Sequence, residues 1–160
     1  MTPTITDYLK YANLQMAAEA FLVNIDRTVK ADIPKALTEG NNHAFKFTST
    51  QATDFDALWV VVDQRANTTT GFSGTLFKAR ETVASLGILK DELVLSMRST
   101  EFIDDAVRDS AATGSLEIKE TGWAWGQIAS MEDWYKSLSV RGGPLEGKQF
   151  VLLEVVQADE

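Results

Sequence analysis

The chain has no cysteine, which removes disulfides, thiolate metal sites and cysteine nucleophiles in one step. That absence leaves the compartment open. A single histidine, His43, lies in a segment offering neither an orienting acid nor a nucleophile, so it reads as a loop or surface histidine rather than a catalytic base. No apolar run approaches the roughly 18 residues that cross a bilayer, and no transmembrane segment is expected. The start, Met1-Thr-Pro-Thr-Ile-Thr-Asp7, lacks a basic stretch followed by an apolar one, so no cleavable signal peptide is expected and any export needs another route. Positive charge is scarce: 15 Lys and Arg stand against 23 Asp and Glu, a net charge of -8, with a pI near 4.7. Nucleic-acid binding draws on clustered Lys and Arg, so DNA and RNA are not expected partners.

What is there fits one domain. At 160 residues a chain buries about 68–70% of its unfolded surface. The apolar share of 44% and charged share of 24% are those of a folded globular protein rather than a disordered one. No internal repeat, heptad run or low-complexity segment interrupts it.

Leu9, Ala12, Met16, Ala20 and Val23 recur from Ile5 at helical steps, with Leu14, Phe21 and Leu22 widening the apolar stripe. Thr4 is the expected N-cap, supported by Asp7 three residues on. Asp32-Ile-Pro34 starts a second helix that Gly40-Asn-Asn42 closes. Thr48 to Ala66 places Phe55, Leu58, Trp59 and Val62 at helical spacing, although Trp59-Val-Val-Val62 is β-branched enough for a strand; helix is the favoured reading. Gly71 to Ala79 alternates with apolar groups on both faces, the mark of an inner strand. A long connection, with a helical turn expected within 81–86, leads to the strand Glu92 to Arg98.

Glu101, Asp104 and Asp105 load the first turn of a helix from Phe102 with negative charge. They lack the ligand-loop spacing of a Ca²⁺ site, and no metal or other cofactor is expected. Trp123 to Leu138 reads as an amphipathic helix whose tryptophans, 123, 125 and 134, serve packing. Arg141-Gly-Gly-Pro144 is a turn, and Gly147 to Glu154 a short apolar strand. The order helix, helix, helix, strand, strand, helix, helix, strand is an α/β pattern, a small sheet flanked by helices behind a helical N-terminal segment.

Several blocks carry a resemblance: Gly71-Phe-Ser-Gly-Thr-Leu-Phe77, Glu92-Leu-Val-Leu-Ser-Met-Arg-Ser-Thr100, Phe102-Ile-Asp-Asp105 and Gly122-Trp-Ala-Trp-Gly-Gln127. Over about residues 45 to 150 the chain resembles the N-terminal half of lipase-like α/β-hydrolase domains in bacterial exoproteins with calcium-binding (RTX) repeats, related to the class 3 lipases. The resemblance implies a helical part over 1–45 and a partial α/β-hydrolase-like core over 46–154 within one domain. It also implies secretion without a cleavable signal, and a lipid or other ester as substrate of a full-length protein.

In class 3 lipases the corresponding strand ends in Arg-Gly-Ser/Thr, whose last residue contributes to the oxyanion hole. The resemblance thus implies Thr100 as an oxyanion donor, framed by Arg98 and Ser99, where preorganised donors stabilise charge on a carbonyl oxygen. Ser99 stands where the family has glycine. Thr100 equally suits the cap of the helix at Phe102, and one hydroxyl can serve both roles.

The family's next strand leads into Gly-x-Ser-x-Gly, with an acid and a histidine later. Here that strand runs from Gly147 to Glu160 without the motif. Gly71-Phe-Ser-Gly-Thr75 has the wrong glycine spacing. Codons available for Leu152 to Asp159, read one nucleotide back, can encode Thr-Gly-Gly-Ser-Ser-Gly-Gly, which contains the motif at the expected place. The expectation is therefore a hydrolase domain truncated, by a frameshift in the gene or its reading, before its nucleophile elbow and inactive alone. A second expectation is a non-catalytic interaction module that forms a homodimer or higher oligomer through an open sheet edge. A third is a binder of small ligands through the tryptophans at 123–134.

Overall fold

The computed structural model describes residues 4–22, 25, 32–40, 46–65, 68, 70–97 and 125–154. Helix α1, Ile5–Ala18, opens on the expected capping box. The Asp7 N–H donates to Thr4 Oγ1 at 3.2 Å, and the Thr4 N–H donates to the Asp7 carboxylate at 2.8 Å. The backbone and side-chain hydrogen bonds from Thr4 hold the Asp7 carboxyl below its usual range. The expected stripe is buried in part: Leu14, Ala20 and Leu22 lie inside together with Ala17 and Ala18, and Met16 packs against the core, whereas Ile5, Leu9 and Phe21 are 88%, 56% and 49% exposed. The hydrogen bonds of Lys10 with Glu92 and of Gln15 with the Met97 carbonyl set which side of α1 faces the sheet.

Helix α2, Asp32–Glu39, buries Ile33, Ala36 and Leu37 and stops where Gly40 adopts a φ of 57°, a conformation glycine reaches without a Cβ clash. Helix α3 spans Ser49–Leu58, with a capping box between Thr48 and Gln51. The favoured helix over 48–66 is corrected beyond that point: Trp59–Arg65 is a strand, β1. The run Val60-Val61-Val62 loses side-chain freedom in a helix and fits a pleated surface, and here that preference prevails over apolar spacing.

Strand β2, Gly74–Ala79, pairs antiparallel with β1 and with β3, Leu93–Met97. The connection between β2 and β3 contains the anticipated helical turn, a 3₁₀ turn at Ala84–Leu86. Helix α4, Trp125–Ser139, precedes β4, Val151–Glu154, which lies parallel to β3. The sheet order is β1-β2-β3-β4. This is an α/β arrangement with a small mixed sheet. Val62 is an extra residue in β1 where the register shifts between Val61 and Asp63, a bulge of the kind that twists an edge strand away from further pairing.

Alternation along the inner strands feeds two cores. Phe77 and Val94 join residues of α1, α2 and α3 on one face. Leu76, Leu93 and Leu95 meet Trp134 and Leu138 of α4 on the other. Trp134 is 2% exposed, as its packing role requires, but Trp125 is 54% exposed and is not a core group.

Gly74 marks the tightest point of the second core. A Cβ there would lie 2.5 Å from Trp134 Cζ3. The indole cannot swing aside freely, because its N–H donates to Asp63 at 2.8 Å and its ring packs on Phe72 with centroids 5.9 Å apart. Gly74→Ala is expected to cost about 1–3 kcal/mol by overpacking, read as a lower urea midpoint at unchanged m-value; an unchanged midpoint would show that Trp134 yields.

Candidate functional site

The parallel pair brings two strand ends together. Val94 pairs with Val151, Leu95 with Leu152, Ser96 with Leu153 and Met97 with Glu154. Open α/β sheets place ligands outside the carboxyl ends of their strands, which makes this end of β3 and β4 the candidate site.

A buried polar row crosses the sheet just behind it. Gln64 of β1 lies opposite Thr75 of β2, and Thr75 opposite Ser96 of β3. Their exposures are 7%, 0% and 0%, so each polar group needs a partner. Gln64 donates to Thr75 Oγ1 and to the Ala20 carbonyl, both at 2.9 Å, and accepts from the Leu22 N–H at 2.6 Å. Ser96 donates to Gln15 Oε1 at 2.6 Å, while the Gln15 amide donates to the Met97 carbonyl at 2.6 Å. Gln15 of α1 thus clamps the last residue of β3.

At the other end of β3, the Lys10 ammonium donates to Glu92 at 2.9 Å and to the Gly87 carbonyl at 2.8 Å. Burial disfavours the charged amine, but the hydrogen bond and charge of Glu92 outweigh it and the Lys10 pKa is raised. A protonated, committed ammonium is a positioning group rather than a nucleophile.

These groups hold strand ends in place; they supply no nucleophile with an adjacent base. Among the described residues no group of three His, Asp or Glu could hold a metal ion. The sequence-predicted Arg98, Ser99 and Thr100 lie outside the described residues, as do His43, Asp104, Asp105 and Trp123. The structure brings Met97, the residue before that triplet, beside Glu154. Sequence reading missed the polar row. Ser96, the one polar residue of β3, carried a signal for it; Gln64 stands between Asp63 and Arg65 and Thr75 shares β2 with Lys78, so neither stood out.

Comparison of the chain with family models, with curated proteins and with solved structures gave no match in any of the three.

Proposed function

We propose that this chain is the scaffold half of a lipase- or esterase-like acyl-ester hydrolase domain, inactive by itself. The observation that carries the reading is the parallel pairing of β3 with β4, with Met97 opposite Glu154. A nucleophile-elbow hydrolase needs its oxyanion donors and its serine at neighbouring strand ends, so that both reach one carbonyl. In this reading Arg98-Ser99-Thr100 follows the first strand end, Thr100 is an oxyanion donor, and the elbow serine follows the second. The polar clamp from Gln15 to Met97 keeps the first end in place.

The gene sequence from the codon of Gly147 onward, followed by fluorophosphonate labelling, tests this. The expected result is a shifted frame that encodes Gly-x-Ser-x-Gly and later supplies Asp and His. The 160-residue chain stays unlabelled, while the frame-restored protein labels at the elbow serine. In that protein Thr100→Ala is expected to lower kcat about 10²–10³-fold. A shifted frame without the motif, or labelling of a defined serine in the present chain, overturns the proposal.

A second reading, self-association through a sheet edge, is favoured by Leu152, which is 50% exposed on the outermost strand β4. Among the described residues no strand pairs with its outer side. Light scattering that finds a monomer at every concentration removes this reading.

A further inference from the structure

Two helices present matching faces to one cleft. Thr6, Leu9, Lys10 and Asn13 of α1 follow the spacing i, i+3, i+4, i+7, and Gln51, Asp54, Phe55 and Leu58 of α3 repeat it. Such residues share one side of a helix. Between them lies a space of about 130 Å³, on the scale of the roughly 150 Å³ cavity that accepts a benzene ring. Phe47, Phe55, Trp59 and Ile88 form its apolar lining, each no more than 5% exposed. Leu9 leaves an uncovered apolar flank at the mouth.

The polar groups at this cleft select the ligand's charge. Lys10 is already neutralised by Glu92. The Gln51 carbonyl oxygen is taken by the backbone and hydroxyl of Thr48, which leaves its amide as a donor. Asp54 is exposed and makes no ion pair or side-chain hydrogen bond among the described residues. Among the described residues that line the cleft, the one uncommitted charge is therefore a carboxylate, and it shares the cleft with an aromatic lining. An anion would meet that carboxylate with no free cation among the described lining residues to offset it. An ammonium would gain both the carboxylate and the π-systems of the lining. The chain's net charge of -8 acts in the same direction.

We propose that the α1–α3 cleft binds a small arylalkyl ammonium, its ring against Trp59 and Phe55 and its cationic group at Asp54. This site is separate from the carboxyl ends of β3 and β4 and does not depend on the hydrolase reading. A ring of this size with one exposed charge contact binds weakly, with a dissociation constant in the millimolar range.

An amide-resolved NMR titration with benzylamine at neutral pH and constant ionic strength tests it, with benzyl alcohol and benzoate as neutral and anionic counterparts. Benzylamine is expected to give saturable shifts concentrated at the Trp59 indole N–H and the amides of Asn13, Asp54 and Ile88. Its affinity should exceed that of benzyl alcohol by about two- to fivefold, the range of an exposed ion pair, with benzoate weakest. Asp54→Asn should erase the advantage of the amine while leaving the alcohol unchanged; Asp54→Ser serves the same purpose if the asparagine variant folds poorly. Shifts that do not saturate or that centre elsewhere, a ligand order indifferent to charge, or an intact advantage in the Asp54 variants would each overturn the proposal.

Discussion

Phe77→Ala is expected to remove about 3–5 kcal/mol of stability. Phe77 is fully buried at the centre of β2. Its ring meets Phe55 edge-on with centroids 5.6 Å apart and an interplanar angle of 82°, and Phe55 meets Phe47 at 5.6 Å and 66°. The three rings join the sheet to α3 and to the segment that enters it. Truncation removes the transfer free energy of a whole ring, the edge-to-face attraction of about 0.5–1.5 kcal/mol, and the packing that kept the space filled. Against a total stability of about 5–15 kcal/mol, a loss of this size lowers the melting temperature by about 10 °C. Phe150 is the internal comparison: it also packs against an aromatic ring, Tyr135, with centroids 5.9 Å apart and planes tilted by 45°, but it is only half-buried and Tyr135 is 42% exposed. Phe150→Ala should cost under about 1.5 kcal/mol. Urea denaturation of the two variants decides the matter, and equal midpoints would mean that the ring ladder does not hold β2 to α3.

The same contrast separates what was legible in the sequence from what was not. The Thr4–Asp7 box, the glycine stop at Gly40 and the alternation along β2 and β3 depend on neighbours a few residues away, and each stands where the sequence places it. The buried face of α1 depends on Lys10 and Gln15, whose partners lie 82 residues away in sequence. No helical period reveals such a partner, and a lysine and a glutamine read locally as solvent-facing. Trp59 to Val62 presented two valid signals, apolar spacing and β-branching. Pairing with Phe77, Lys78 and Ala79 resolves them in favour of the strand, which only the neighbouring strand could do.

For the candidate sites, the residue types were visible and their meeting points were not. Ser96 is the one polar position in β3, whereas Gln64 sits between Asp63 and Arg65, and the hydrogen bonds that join Gln64 with Ala20 and Leu22 and Ser96 with Gln15 come from chain crossing, not spacing. The faces of α1 and α3 that line the cleft have a helical period that reads equally well as core. Exposure of Leu9 and Asp54 at its mouth separates a cleft from a sealed interior, and exposure is a property of the assembled chain.

Glu92→Ala is expected to cost about 3 kcal/mol or more, because removal of one partner strands a buried charge. The side chains of Lys10 and Glu92 are 4% and 13% exposed, so the lysine left behind is a largely desolvated charge with the Gly87 carbonyl as its remaining protein acceptor. The variant also loses the hydrogen bond from the Leu89 N–H to Glu92 at 3.3 Å. Lys10→Met with Glu92→Leu should cost less than Glu92→Ala alone, since apolar groups of similar volume remove both desolvation costs; a double-mutant cycle isolates the coupling. The pH dependence has a fixed sign. The Lys10 pKa is raised in the folded protein, so between the ordinary lysine value of about 10.4 and the folded value the native state holds a proton that the unfolded state has released. Its stabilising contribution is complete below that ordinary value and declines as pH rises through the folded one. The wild type should therefore lose more stability than Lys10→Met across alkaline pH, where the variant lacks this titration. Parallel pH curves for the two proteins, together with a Glu92→Ala cost below about 1 kcal/mol, would mean that the pair is solvated and that α1 is held to β3 by Gln15 and its apolar face.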